Sequence, residues 1–188
     1  SYTDFSWTVE DVSAVENVAI DGHTKYTVKI KVRNEGDVAG KEVVQLYGHA
    51  PYTPGGVEKP ETTLLDFAKT GLLEKGAEET VTLTFDPYYL ASYDYKGLND
   101  NDHKGYELEA GDYIISANRD SHTPVVSITR TVDETIICDT DLHTGAEIKP
   151  VFVDNGGTFD YSTVNASLEA NMISRATGLK QPAPVSKD

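Results

Sequence analysis

The sequence predicts an all-β fold, an immunoglobulin-like sandwich of about seven strands with an irregular C-terminal extension. Three observations predict it. Short alternations of apolar and polar residues recur along the first two thirds of the chain, turns rich in Gly, Pro, Asn and Asp separate them, and that region carries no convincing helical period.

The alternations can be taken in order. Phe5, Trp7 and Val9 place an apolar side chain at every second position, and Trp7 is expected to fill the core or an interface rather than to serve as a sugar platform. Tyr26, Val28, Ile30 and Val32 alternate with Thr27, Lys29 and Lys31, the pattern of a strand with one wet face. Asn34-Glu35-Gly36-Asp37 then supplies turn chemistry. Glu42 to Tyr47 resumes with β-branched and aromatic residues, with Val44 and Leu46 expected to face inward. A loop from Pro51 to Pro60, with Pro54-Gly55-Gly56 at its tip, precedes the alternation of Leu65 and Phe67. Glu74-Lys75-Gly76-Ala77 is the next turn, and Val81, Leu83 and Phe85 then alternate with Thr80, Thr82 and Thr84. Tyr113, Ile115 and Ala117 follow the turn at Gly111-Asp112, and Val126, Ile128 and Arg130 to Val132 make the last expected strand.

Beyond Val132 the strand period fades. Gly156-Gly157 and Pro182-Ala183-Pro184 mark irregular chain, and Val164, Leu168 and Met172 give one weak helical pattern. The expected division is a sandwich over 1–132 and an extended connector over 133–188.

A chain of 188 residues, 38% hydrophobic, can bury a core without staples. Its net charge of −15 counts against nucleic acid and an anionic membrane surface as partners, since both need clustered Lys and Arg. No apolar run approaches the roughly 20 residues that span a bilayer, so a soluble chain is expected. The start, Ser1-Tyr2-Thr3, shows no signal peptide and reads as a processed or truncated end; a bacterial-type cytoplasmic or secreted setting is left open. Cys138 is the single cysteine, which excludes an internal disulfide and a cysteine metal cage.

Catalytic motifs are missing from the string: it contains no Gly-x-Ser-x-Gly elbow, no phosphate-cradling loop and no His-Glu-x-x-His pair. His23, His49, His103, His122 and His143 are scattered without ligand spacing. The run Asn99-Asp100-Asn101-Asp102 offers oxygens to a hard cation but lacks the spacing of a calcium loop, and a solvated hairpin loop is expected there. Glu107 and Glu109 alternate with Leu108 and are read as one wet strand face. No catalytic, cofactor or metal residue is assigned. The cluster Tyr88, Tyr89, Tyr93 and Tyr95 has two readings, a platform stacking on sugar faces or a buried corner tyrosine with its hydroxyl bonded to backbone. Asn165-Ala166-Ser167 is the one glycosylation triplet.

One ordered set of motifs goes further. Ala39-Gly40-Lys41-Glu42-Val43-Val44-Gln45-Leu46-Tyr47 is followed by Leu65-Asp66-Phe67-Ala68-Lys69-Thr70, Leu73-Glu74-Lys75-Gly76 and Thr80-Val81-Thr82-Leu83. Leu90-Ala91-Ser92-Tyr93-Asp94, Glu109-Ala110-Gly111-Asp112-Tyr113 and Asp120-Ser121-His122 complete it. The set resembles the fibronectin type III-like domain of glycoside hydrolase family 3, the β-glucosidase and β-xylosidase family. In addition, Met172-Ile173-Ser174-Arg175-Ala176 resembles the approach to the barrel in members where the sandwich precedes it.

The resemblance implies an accessory module that stabilises the catalytic α/β and barrel domains of the same enzyme, with oligosaccharide as a further candidate partner. Family members are retaining hydrolases whose nucleophile is a barrel aspartate in a Ser-Asp-Trp-like motif, with the acid/base glutamate on the α/β domain. Ser-Asp-Trp does not occur in this sequence, so no catalytic residue is carried over.

Overall fold

The computed structural model describes residues 3–12, 25–141, 144–148 and 174–178. The weak helical pattern through Val164, Leu168 and Met172, the Asn165 triplet, His23 and His143 lie outside them.

The expected sandwich is observed. One sheet has three strands in the order β1 (Phe5–Val12), β2 (Tyr26–Asn34) and β5 (Glu78–Phe85). Facing it is a four-stranded sheet in the order β4 (Thr63–Lys69), β3 (Val43–His49), β8 (Gly111–Asn118) and β9 (Pro124–Val132). The neighbouring strands within both sheets pair antiparallel, and these seven strands are the seven expected from the alternations.

Period-2 patterning does what it should. Val28, Ile30, Val32, Val81 and Leu83 from one sheet meet Val44, Leu46, Ile115 and Ala117 from the other in a single core that also takes Phe5 and Trp7. Each such burial contributes roughly 1.5–3 kcal/mol, and alternation delivers every second side chain to the same face.

The two outer faces differ. On β1, β2 and β5 the outward positions are charged or hydroxylated: Lys31 Nζ lies 2.9 Å from Glu10, and Arg33 NH1 lies 3.0 Å from Glu78. A hydroxyl hydrogen bond from Thr80, then one from Lys31, hold the Glu10 carboxyl below its ordinary range. On the four-stranded sheet the outward positions include Leu64, Phe67 and Ile114, which are 51%, 66% and 44% exposed, with Tyr47 on the strand between.

One side chain links the edge strands β4 and β5. Asp66 on β4 receives the Phe67 amide on Oδ1 and the Thr84 amide of β5 on Oδ2, both at 2.8 Å, bridging the open side where the two sheets meet.

Asn34, expected only to start a turn, is a buried hub. Its Nδ2 donates to the carbonyls of Val38 and Leu73, each at 2.8 Å, while its Oδ1 accepts from Thr3 Oγ1 and Gly36 N. The residue is 0% exposed and ties β1, the β2–β3 turn and the β4–β5 turn together.

A third, small sheet was not foreseen. It comprises β6 (Ser92–Asp94), β7 (Gly105–Leu108) and β10 (Ile136–Ile137), with β7 in the middle. The chain past Val132 therefore stays on the sandwich at least to Cys138, whose amide donates to the Tyr106 carbonyl. Burial pushes the Cys138 thiol up to about 11, so it behaves as a core side chain rather than a reactive thiol.

Candidate functional site

Apart from the apolar outer face of the four-stranded sheet, one end of the sandwich offers a groove, where the Pro51–Pro60 loop, the β6–β7 hairpin loop and the segment Ser174–Gly178 come together.

The hairpin loop is organised by two buried carboxylates. Asp94, 1% exposed, accepts from the amides of Lys96, Gly97 and Asn99 at 3.2, 2.8 and 3.1 Å. Glu107, also 1% exposed, accepts from Asn99 Nδ2 at 2.7 Å and Asn101 Nδ2 at 2.9 Å, and bonds His103 Nδ1 at 2.8 Å. This corrects the wet-face reading of Glu107. The strand face is roofed by the chain's own loop, and the loop supplies the donors that a buried carboxylate requires. Gly105 makes room for this: a Cβ there would lie 2.8 Å from the His103 ring.

The Asn99–Asp102 run sits in a hairpin loop, as expected, but only half of it faces solvent in a simple way. Asn99 and Asn101 turn inward to Glu107, while Asp100 and Asp102 are exposed with φ of 53° and 58°. Asp and Asn tolerate that left-handed backbone better than most residues. Among the described residues, no three His, Cys, Asp or Glu side chains converge to hold a metal.

The four tyrosines do not form one surface. Tyr88 and Tyr93 flank Tyr106 of β7, with ring centroids 5.9 and 5.0 Å apart, the second pair edge-on. Tyr89 and Tyr95 are exposed, and Lys96 Nζ lies 5.4 Å from the centre of the Tyr95 ring. The corner tyrosine is a different residue. Tyr113, two residues into β8, is 4% exposed and donates its hydroxyl to the Glu109 carbonyl four residues upstream, at 2.9 Å. That geometry needs a tyrosine at the start of a core strand, a place none of the four occupies. Tyr106 was missed, although Gly105-Tyr106-Glu107-Leu108 carries a readable strand alternation.

A groove of about 320 Å³ runs between the two loops, lined by Val57, Glu58, Tyr93, Asp94, Tyr95 and Leu98 among others, with Ser174 on its wall. Glu58 is engaged by the returning chain: its carboxylate accepts from Ser174 Oγ at 2.8 Å and from the Arg175 amide at 2.9 Å. The Arg175 guanidinium lies 4.1 Å from the Tyr52 ring centre and donates to the Pro60 carbonyl at 3.4 Å. Beside it, Lys59 is buried and pairs with the Glu109 carboxylate. Burial first, and then the charge of Arg175, pull the Lys59 ammonium down to about 8. None of Tyr52, Glu58 or Lys59 carried a signal in the sequence beyond membership of a loop.

No helix among the described residues is long and apolar enough to cross a membrane.

Comparison with known proteins places this architecture. Residues 42–121 match the fibronectin type III-like domain family. The chain is 33% identical over 136 residues to thermostable β-glucosidase B of Acetivibrio thermocellus, covering 72% of this chain and 16% of that protein. Among solved structures, a β-glucosidase from Paenibacillus barengoltzii superposes with a TM-score of 0.61 at 34% identity, over 72% of this chain and 15% of that one. β-Glucosidase 3B of Thermotoga neapolitana, solved with α-D-glucose, gives a TM-score of 0.55 at 32% identity, over 72% and 16%. The chain thus spans about one sixth of the length of the relatives it matches. The sandwich built around residues 42–121 is a fibronectin type III-like domain of the kind these β-glucosidases contain.

Proposed function

We propose that this chain is a non-catalytic module of a retaining β-glycoside hydrolase of family 3, buttressing that enzyme's α/β and barrel domains and closing one side of its substrate pocket. We further read residues 1–132 as the module and 133–188 as the connector toward the barrel.

The contrast between the two outer faces carries this reading. One is a lattice of charges, while the other presents Leu64, Phe67 and Ile114 to solvent. An apolar face opposite a charged one fits a surface that meets a neighbouring domain. The non-catalytic part has its own support. Retaining hydrolysis uses two carboxyl groups about 5 Å apart, one to attack and one to protonate. The groove's two carboxylates, Glu58 and Asp94, are instead engaged as acceptors for Ser174, Arg175 and backbone amides.

Phe67→Glu tests the docking face. In the isolated chain the substitution should change stability by no more than ~0.5 kcal/mol, because the ring is already mostly in water. In the full-length parent the same change should lower the melting temperature by several degrees and reduce kcat/KM on a nitrophenyl β-glucoside. An unchanged parent enzyme would reject the buttress, and turnover of that substrate by the isolated chain would reject the non-catalytic assignment.

A second reading, oligosaccharide binding, is favoured by the groove, whose volume suits a short sugar and whose walls include Tyr93 and Tyr95. Calorimetric titration with cello-oligosaccharides and xylans supports it if binding is millimolar or tighter and is lost on Tyr95→Ala.

A further inference from the structure

We propose that Tyr52, Glu58 and Pro60 form a receptor that grips the connector at Ser174 and Arg175 and so anchors the segment Ser174–Gly178 to the sandwich. This concerns the chain's own segment, and it stands whether or not the domain buttresses a catalytic neighbour.

The grip acts from two sides. Glu58 takes the Ser174 hydroxyl on Oε2 and the Arg175 amide on Oε1, so both carboxylate oxygens are occupied by consecutive residues. The Arg175 side chain reaches the opposite way, lying over the Tyr52 ring and donating to the Pro60 carbonyl. A planar guanidinium suits both contacts at once, which an ammonium would not.

The gripped segment is also built to stop. Ser174 caps a single turn over Arg175–Thr177 by accepting from the Ala176 amide at 3.1 Å, and Gly178 closes it with φ of 70°. Only glycine takes that left-handed closure at no cost, so the chain turns sharply there.

The receptor is rigid because its flanks are rooted. Val57 is 4% exposed, and Lys59 pairs with Glu109, whose carbonyl receives the corner hydroxyl of Tyr113. Contacts thus run from the core corner to the connector across 116 and 117 positions of sequence. Closing so long a loop opposes the grip entropically, so several simultaneous contacts are needed to hold it.

Trypsin reads the grip directly, because Arg175–Ala176 is a cleavable bond whose arginine is held. In the wild-type chain this bond should resist cleavage. In Glu58→Ala it should be cut at least tenfold faster, while cleavage at Lys75–Gly76, an exposed turn far along the sequence, stays unchanged. Tyr52→Leu keeps the bulk but removes the ring face, and should accelerate the Arg175 cut several-fold. Equal rates at Arg175 in wild type and Glu58→Ala would overturn the proposal. If Glu58→Ala speeds both cuts, the domain has loosened as a whole and Tyr52→Leu decides, with wild-type rates at Arg175 counting against the receptor.

Discussion

Asn34→Asp is expected to destabilise the domain by about 4 kcal/mol or more, a large share of the 5–15 kcal/mol that holds an ordinary domain folded. The substitution changes almost no volume. It replaces the amide that donates to the Val38 and Leu73 carbonyls with an oxygen, so the buried Leu73 acceptor and the partly buried Val38 acceptor lose their donor and face a carboxylate instead. Each orphaned group costs about 1–3 kcal/mol, and a buried, unpaired charge adds to that. The pH dependence has a definite sign. The new carboxyl would have a folded pKa raised above the unfolded value of about 3.9, so its charged form is what the fold disfavours. The deficit relative to wild type should therefore grow as pH rises from about 4 toward 7 and shrink on acidification, when a neutral acid can donate to one carbonyl. Guanidinium unfolding of both proteins at pH 5 and 7 checks it. A variant within 1 kcal/mol of wild type at pH 7 would contradict the hub.

Glu107→Ala should have the next largest effect and a more local one. The loss strands Asn99 Nδ2, Asn101 Nδ2 and His103 Nδ1, of which Asn101 is exposed and can rehydrate. About 2–4 kcal/mol of stability should go, and the loop between β6 and β7 should open. Hydrogen exchange measures that opening: the amides of Lys96, Gly97 and Asn99, all bonded to Asp94, should exchange at least tenfold faster than in wild type. Glu107→Gln should fall between, since one oxygen still accepts while the amide nitrogen meets donors. Unaltered exchange in the alanine variant would mean that Asp94 holds the loop alone.

These two residues show where sequence reasoning stops. Alternation identified all seven sandwich strands because burial on one face repeats at period 2 and needs no knowledge of the partner. Alternation does not separate a face covered by water from one covered by the chain's own loop, and Glu107 lies under the loop rather than in water. A signal existed: three side chains able to donate, Asn99, Asn101 and His103, crowd the loop just before Glu107. Asn34 reads as a turn former because its local neighbours favour a turn. Its energetic role depends on the Leu73 carbonyl, 39 positions away, and long-range polar satisfaction leaves no local pattern. The same holds for Glu58, whose partners are more than a hundred residues distant. The corner tyrosine lies outside the Tyr88–Tyr95 cluster because topology sets its position, at the entry to β8.

Asp66 has a consequence for how this domain behaves among its copies. A strand whose amides point outward unclaimed is a template on which another molecule can stack, and flat sheet edges invite such growth. By accepting the Thr84 amide, Asp66 occupies a donor on the outer side of β5 and plants a negative charge along β4. A second copy approaching there would meet a filled donor and a carboxylate, which disfavours strand addition at that part of the margin.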